Sequence, residues 1–161
     1  MYEVNFKYRF EAAHRFVGSC STQCSTPHGH TWYASLCLQS VTDELDQNQM
    51  LVEFGELKKP WMHFITKVAD HSFMINEKDP LISALVDHIP NVRLIRFPGD
   101  PTTELVAQLF YLKAKALYKP FEALIRPKSV YIEETPTNHL KWEGPVKNPS
   151  LLDPKQWWNE A

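Results

Sequence analysis

Tyr2-Glu3-Val4-Asn5-Phe6-Lys7-Tyr8-Arg9-Phe10 alternates apolar with polar side chains. A period of two is the pattern of a half-covered strand, because successive side chains leave the backbone on opposite faces. Tyr2, Val4 and Phe6 share one of those faces. A second strand is read over residues 31–41, TWYASLCLQSV. Between the two, residues 17–27 (VGSCSTQCSTP) are small, polar and unpatterned, which marks a loop. If the two strands pair antiparallel, the end of the first lies beside the start of the second.

Further along, residues 43–49 read as a turn region. A helical pattern runs from Phe54 toward Ala69, with Leu57, Trp61, Phe64, Ile65 and Val68 on one face. Pro60 conflicts with it, since proline lacks an N–H and clashes with the preceding turn. The helix therefore either begins nearer Lys59 or kinks. Pro80 can open a short helix to about His88. Residues 91–97 suggest a short strand. Thr102 or Thr103 can cap a helix over about 103–118, with Glu104 in the first turn where the helix dipole favours negative charge. Residues 128–135 and 139–143 read as the last strands. The tail after Pro145 either wraps a neighbour or frays. Strand, strand, helix, helix, strand, strand predicts an α+β domain, with a mostly antiparallel sheet and helices on one face.

The 161 residues suit a single domain, 1–161. Hydrophobic residues at 43% and charged residues at 22% are ordinary for a globular chain. A net charge of −2 gives no electrostatic case for nucleic acid or an anionic membrane as partner. No apolar run approaches the roughly 18 residues of a membrane span, and no signal-peptide core opens the chain. The reading is a cytoplasmic protein. Three cysteines, Cys20, Cys24 and Cys37, do not suggest a disulfide scaffold there.

The strongest local signal is Pro27-His28-Gly29-His30. Residues two apart in an extended chain point the same way, so His28 and His30 can offer two imidazoles to one ion. His14 follows the first strand in Phe10-Glu11-Ala12-Ala13-His14 and approaches them if the strands pair. Three neutral imidazoles with an open fourth position are the pattern of catalytic zinc. The plain alternative is a surface loop with a chance His-x-His.

Cys24 lies four residues before His28. A nearby dication favours the thiolate, which makes Cys24 a candidate base or nucleophile. Alternatively Cys20 and Cys24 form a structural zinc pair. Cys37 reads as core packing. Asp70-His71 closes the first long helix, where an acid can hold a histidine's tautomer or serve only as solvated polarity. In Glu133-Glu134-Thr135, alternation sends the two carboxylates to opposite faces. One of them, facing a pocket, could grip the paired N–H donors of an amino-pyrimidinone ring. Otherwise the two are exposed charges on an edge strand.

Together these residues resemble the 6-pyruvoyltetrahydropterin synthase and 6-carboxytetrahydropterin synthase family over roughly residues 2–144. Phe10-Glu11-Ala12-Ala13-His14-Arg15 looks like the first zinc motif of that family. Cys24-Ser25-Thr26-Pro27-His28-Gly29-His30 looks like its catalytic cysteine and zinc pair. Residues 51–58 (LVEFGELK), Asp70-His71, Pro101-Thr102-Thr103-Glu104 and Glu134-Thr135 match further motifs in the same order. Glu53 departs from the usual Asp, and residues 78–100 and the extension 145–161 are additional.

The resemblance implies a tunnelling fold, with a four-stranded antiparallel sheet and two helices on one face. Sheets would join across subunits into a barrel, in a homohexamer with active sites at subunit interfaces. It implies Zn2+ on His14, His28 and His30, with Cys24, Asp70, His71 and Glu134 as catalytic residues. Glu134, Thr102, Thr103 and Glu104 would bind the pterin, and Arg15 is a candidate for the triphosphate exit. The Cys-x3-His-Gly-His spacing resembles the carboxypterin branch. Its members convert 7,8-dihydroneopterin triphosphate to 6-carboxy-5,6,7,8-tetrahydropterin, acetaldehyde and triphosphate, toward queuosine and other 7-deazapurines. The alternatives are the pyruvoyl branch and a non-catalytic zinc-stabilised module.

Overall fold

The structure is a computed structural model that describes residues 1–18 and 21–161. Cys20, and with it the Cys20–Cys24 pairing, lies outside the described residues. Strand β1 spans Glu3–His14, beyond Phe10, because the alternation continues: Val4, Phe6, Phe10, Ala12 and His14 are all buried. Strand β2 spans His28–Ser40 and pairs antiparallel with β1, Glu3 opposite Gln39 and His14 opposite His28. On the covered side β2 contributes Trp32, Ala34, Leu36 and Leu38. In the loop between the strands, Thr22–Ser25 forms a single helical turn, α1, capped by the Ser21 side chain.

The sheet departs from four antiparallel strands. It has six, in the order β4-β3-β1-β2-β5-β6. β5 (Ile125–Glu133) and β6 (His139–Glu143) continue it antiparallel beyond β2. On the other side β3 (Ser72–Asn76) runs parallel to the last residues of β1, Ala12–His14, and β4 (Leu94–Phe97) runs parallel to β3. β3 has no alternation to announce it, because Met74 and Ile75 are both buried. The parallel pair requires a crossover, which contains helix α3 (Leu81–His88).

Helices α2 (Phe54–Phe64) and α4 (Thr103–Leu117) cover the apolar face. α2 begins at Phe54, and Pro60 lies inside it. The Glu53 side chain caps it, accepting from the N–H of Glu56 at 2.9 Å. A glutamate reaches this donor because Gly55 leaves space: a Cβ there would meet the Glu53 carboxylate at 2.6 Å. The helix then widens over Ile65–Ala69, where Asp70 N–H bonds to the Ile65 carbonyl five residues back. The extra residue in that turn shifts the apolar register. Val68, expected inward, is 41% exposed, and Ala69 is buried in its place.

The tail folds back on its own chain. Val146, Leu151 and Trp158 are buried, and Trp157 stacks on Phe64 with ring centres 6.2 Å apart. Lys113 of α4 donates to the carbonyls of Trp157 and Glu160, and the Trp157 indole donates to the Arg96 carbonyl of β4. Covered by the sheet on one side and the tail on another, α4 buries residues around much of its circumference. No helix among the described residues is long and apolar enough to cross a membrane.

Candidate functional site

Antiparallel pairing sets His14 directly opposite His28, and His30 lies two residues further on the same face. One ring nitrogen from each of the three lies within 4.8 Å of the others. Backbone carbonyls orient two of the rings, those of His14 and His28. Pro101 O lies 3.0 Å from His14 Nδ1, and Thr26 O lies 2.8 Å from His28 Nδ1. A carbonyl only accepts, so Nδ1 carries the proton in both rings and Nε2 keeps its lone pair.

His14 is fully buried, walled by Trp32 and Phe16 with ring centres 5.0 and 4.9 Å away. Burial, reinforced by the two neighbouring imidazoles, pushes its pKa down to about 4. Burial also lowers that of His30. His14 Nε2 is buried without a hydrogen-bond partner, and such orphaned polar atoms are rare unless a ligand takes them. Three imidazoles converging on one point, two of them with lowered proton affinity and one with an orphaned buried nitrogen, fit a metal ion.

Glu134 follows β5 and is held in a turn by its N–H to the Asn138 carbonyl. Its Oε1 lies 3.6 Å from His14 Nε2, and its side chain is 17% exposed. Glu133 points the other way, to Lys7 on the opposite face, as the alternation predicts. A cleft of about 340 Å³ beside the imidazoles is lined by Phe16, Thr102, Thr103, Glu104, Glu134 and Asn138. Thr102 caps α4 by accepting from Leu105 N–H.

Cys24 sits in α1, on the loop that joins the histidine-bearing strand ends, and its carbonyl accepts from Phe16 N–H at 2.8 Å. It is not a member of the three-histidine cluster. Asp70 and His71 are joined, Oδ2 to Nδ1, at 2.8 Å, and the other Asp70 oxygen accepts from Glu11 N–H. Burial opposes ionisation of Asp70, but the Glu11 and His71 donors outweigh it and hold the carboxyl below its ordinary range. The His71 side chain is 74% exposed. It lines a cleft with Glu11, Ala13, Gly29, His30 and Thr31, so one imidazole of the cluster shares that cleft with it. Cys24 is not among the residues lining it.

Arg15 does not stand free as an anion ligand: its Nε lies 2.9 Å from Asp79 Oδ2, and the Asp79 side chain is fully buried. Cys37 is buried but turned to the polar face, where its thiol lies 3.6 Å from Glu3 Oε2. Phe16, Trp32 and Pro101 were not singled out from sequence. Pro101 acts through a backbone carbonyl, which no residue type announces, whereas Phe16 lies two residues past His14 and could have been sought there.

A β-sheet domain carrying three converging imidazoles beside an acid-lined cleft defines a metal-compatible enzyme scaffold. The model of the 6-pyruvoyl tetrahydropterin synthase family matches residues 3–145, and the chain belongs to that family. The 6-carboxy-5,6,7,8-tetrahydropterin synthase of Bacillus subtilis is 28% identical over 143 residues, covering 86% of this chain and 82% of that protein. The protein of the same name from Aquifex aeolicus is 26% identical over 161 residues, 88% of this chain and 98% of its own. Among solved structures, an uncharacterized protein from Wolinella succinogenes has a TM-score of 0.73 at 20% identity, covering 89% of this chain and 98% of its own. The 6-pyruvoyl tetrahydropterin synthase of Caenorhabditis elegans has a TM-score of 0.59 at 23% identity, covering 89% and 96%. At these identities the structural likeness speaks for the fold.

Proposed function

We propose that this chain is a zinc-dependent lyase converting 7,8-dihydroneopterin triphosphate and water to 6-carboxy-5,6,7,8-tetrahydropterin, acetaldehyde and triphosphate, in a cytoplasmic route to queuosine-type 7-deazapurines. The observation that carries the reading is the buried, orphaned Nε2 of His14 facing His28 and His30. The names of the curated relatives support the carboxypterin branch.

His14, His28 and His30 would hold the ion, leaving a position for substrate oxygen. Bound zinc supplies Lewis acidity to the side-chain hydroxyls of the substrate. Cys24 would be the base that takes the proton from the adjacent carbon. His71, with its tautomer held by Asp70, passes protons on. Glu134, with Thr102, Thr103 and Glu104, grips the amino-pyrimidinone edge, since a carboxylate accepts two parallel N–H donors.

The exposed His71, held by the half-buried Asp70, supports a site shared between copies. β1 from Glu3 to Phe10 pairs only with β2 among the described residues, and β6 is the far border of the sheet. Joining β6 of one copy to β1 of the next is a head-to-tail contact of the kind that closes rings, consistent with a barrel inside a hexamer.

Product analysis after incubation with 7,8-dihydroneopterin triphosphate tests the reading. Acetaldehyde and the carboxypterin are expected. Triphosphate with a diketone side chain would assign the pyruvoyl branch instead. A chelated protein that stays folded but inactive supports catalysis, and one that unfolds supports a structural module.

A further inference from the structure

Pro101 is held from both sides. After it, Thr102 caps α4. Before it, the Asp100 carboxylate binds donors from two separate parts of the chain, the Val17–Gly18 backbone and the Asn76 amide. Oδ2 accepts from Gly18 N–H at 2.8 Å, in the loop just past His14, and Oδ1 accepts from Asn76 Nδ2 at 2.8 Å, at the end of β3. The Asn76 amide is oriented in turn, since its Oδ1 accepts from Lys78 N–H at 3.0 Å. Asp100 thus ties the β1 exit, the β3 exit and the α4 entry together at the residue preceding the carbonyl on His14 Nδ1.

We propose that Asp100 is a positioning residue for the metal centre: by clamping these three segments it seats the Pro101 carbonyl on His14 Nδ1 and so aims Nε2 at the ion. The proposal rests on the three-histidine reading of the site. A position between a backbone N–H and an amide NH2 requires a group with two acceptors and no donor, and an ionised carboxylate is that group. Alanine leaves both donors without a partner. Asparagine sets an NH2 against one of them. The exchange Asn76→Asp with Asp100→Asn restores complementarity. The amide introduced at position 100 donates to the carboxylate introduced at position 76, and its own oxygen still accepts from Gly18 N–H. The second oxygen of that carboxylate still accepts from Lys78 N–H. Partners of metal-binding histidines commonly matter to affinity by about 10–100-fold.

The experiment measures zinc dissociation constants of the full chain by competition with a chromophoric chelator, beside melting temperatures of the metal-free proteins. Asp100→Ala and Asp100→Asn are each expected to bind zinc about tenfold more weakly or worse. The double exchange is expected to recover most of that loss, with a metal-free melting temperature rising above that of Asp100→Asn as the three segments are joined again, and all affinities are read at a temperature where every metal-free protein is folded. A folded Asp100→Ala protein with wild-type affinity overturns the proposal. So does a double exchange that binds no more tightly than Asp100→Asn, and that comparison decides if the alanine variant does not fold. A wild-type chain that takes up no zinc overturns the metal centre itself, a different result from zinc uptake that is indifferent to position 100.

Discussion

Lowering the pH of the chelator-treated protein from 7 to 5 should weaken its fold through His14, by an amount the burial of that ring sets. The pKa of His14 is pushed from 6.5 to about 4. In the unfolded chain the imidazole takes up its proton near the ordinary value, whereas in the folded protein it does so only near the lowered one. Between them the unfolded state binds more protons, so stability falls as pH falls, and the loss levels off below the folded value. Every tenfold difference in proton affinity between the two states is worth about 1.4 kcal/mol, so the full effect is about 3 kcal/mol, of which about 2 kcal/mol is lost between pH 7 and 5. His30 is shifted in the same direction, so the comparison must isolate His14. His14→Asn keeps an N–H for Pro101 and removes the titrating ring. Urea unfolding at both pH values is the assay. The wild type should lose about 2 kcal/mol more than the variant, or about 4–8 °C in melting temperature for a chain of this size. Equal losses in the two proteins would refute the argument that burial keeps this ring neutral.

Cys24→Ala should retain zinc while turnover falls by about 10²-fold or more, the usual worth of a positioned base; unchanged turnover would remove the thiol from the mechanism. Glu53→Ala removes the acceptor of the Glu56 N–H and should lower stability by about 1 kcal/mol in urea melts. An unshifted midpoint would show that the cap does not hold the start of α2. Trp158→Ala removes a side chain that is 1% exposed and should destabilise by about 3–5 kcal/mol, and a neutral result would place the tail outside the cooperative fold.

The β1–β2 hairpin and its histidines were legible because the period-two pattern and the His-x-His spacing both specify side-chain direction. Both carboxylates of Glu133-Glu134 followed the same rule, one to Lys7 and one toward His14. The helices were legible in place but not in register. The wide turn at Ile65–Ala69 depends on a single i−5 hydrogen bond that leaves no mark in composition. β3 was not legible, since five residues with adjacent buried side chains lack a period. Nor was the fate of the tail, because burying Trp158 depends on a surface supplied by distant elements.

That tail has a consequence for how copies of the chain can meet. A border strand exposes alternate N–H and C=O groups and will accept another strand that arrives there. Along β4 the carbonyls of Phe97 and of Arg93, just before the strand, turn inward to the N–H groups of Glu77 and Phe73, so Arg96 between them turns outward. The Trp157 indole already occupies that carbonyl, and Lys113 holds the tail in place. A visiting strand would have to evict a tryptophan stacked on Phe64 before it could bond. The Trp157 segment therefore guards the β4 border against strand addition, and truncating the chain before Trp157 would leave the Arg96 carbonyl open to any strand that reached it.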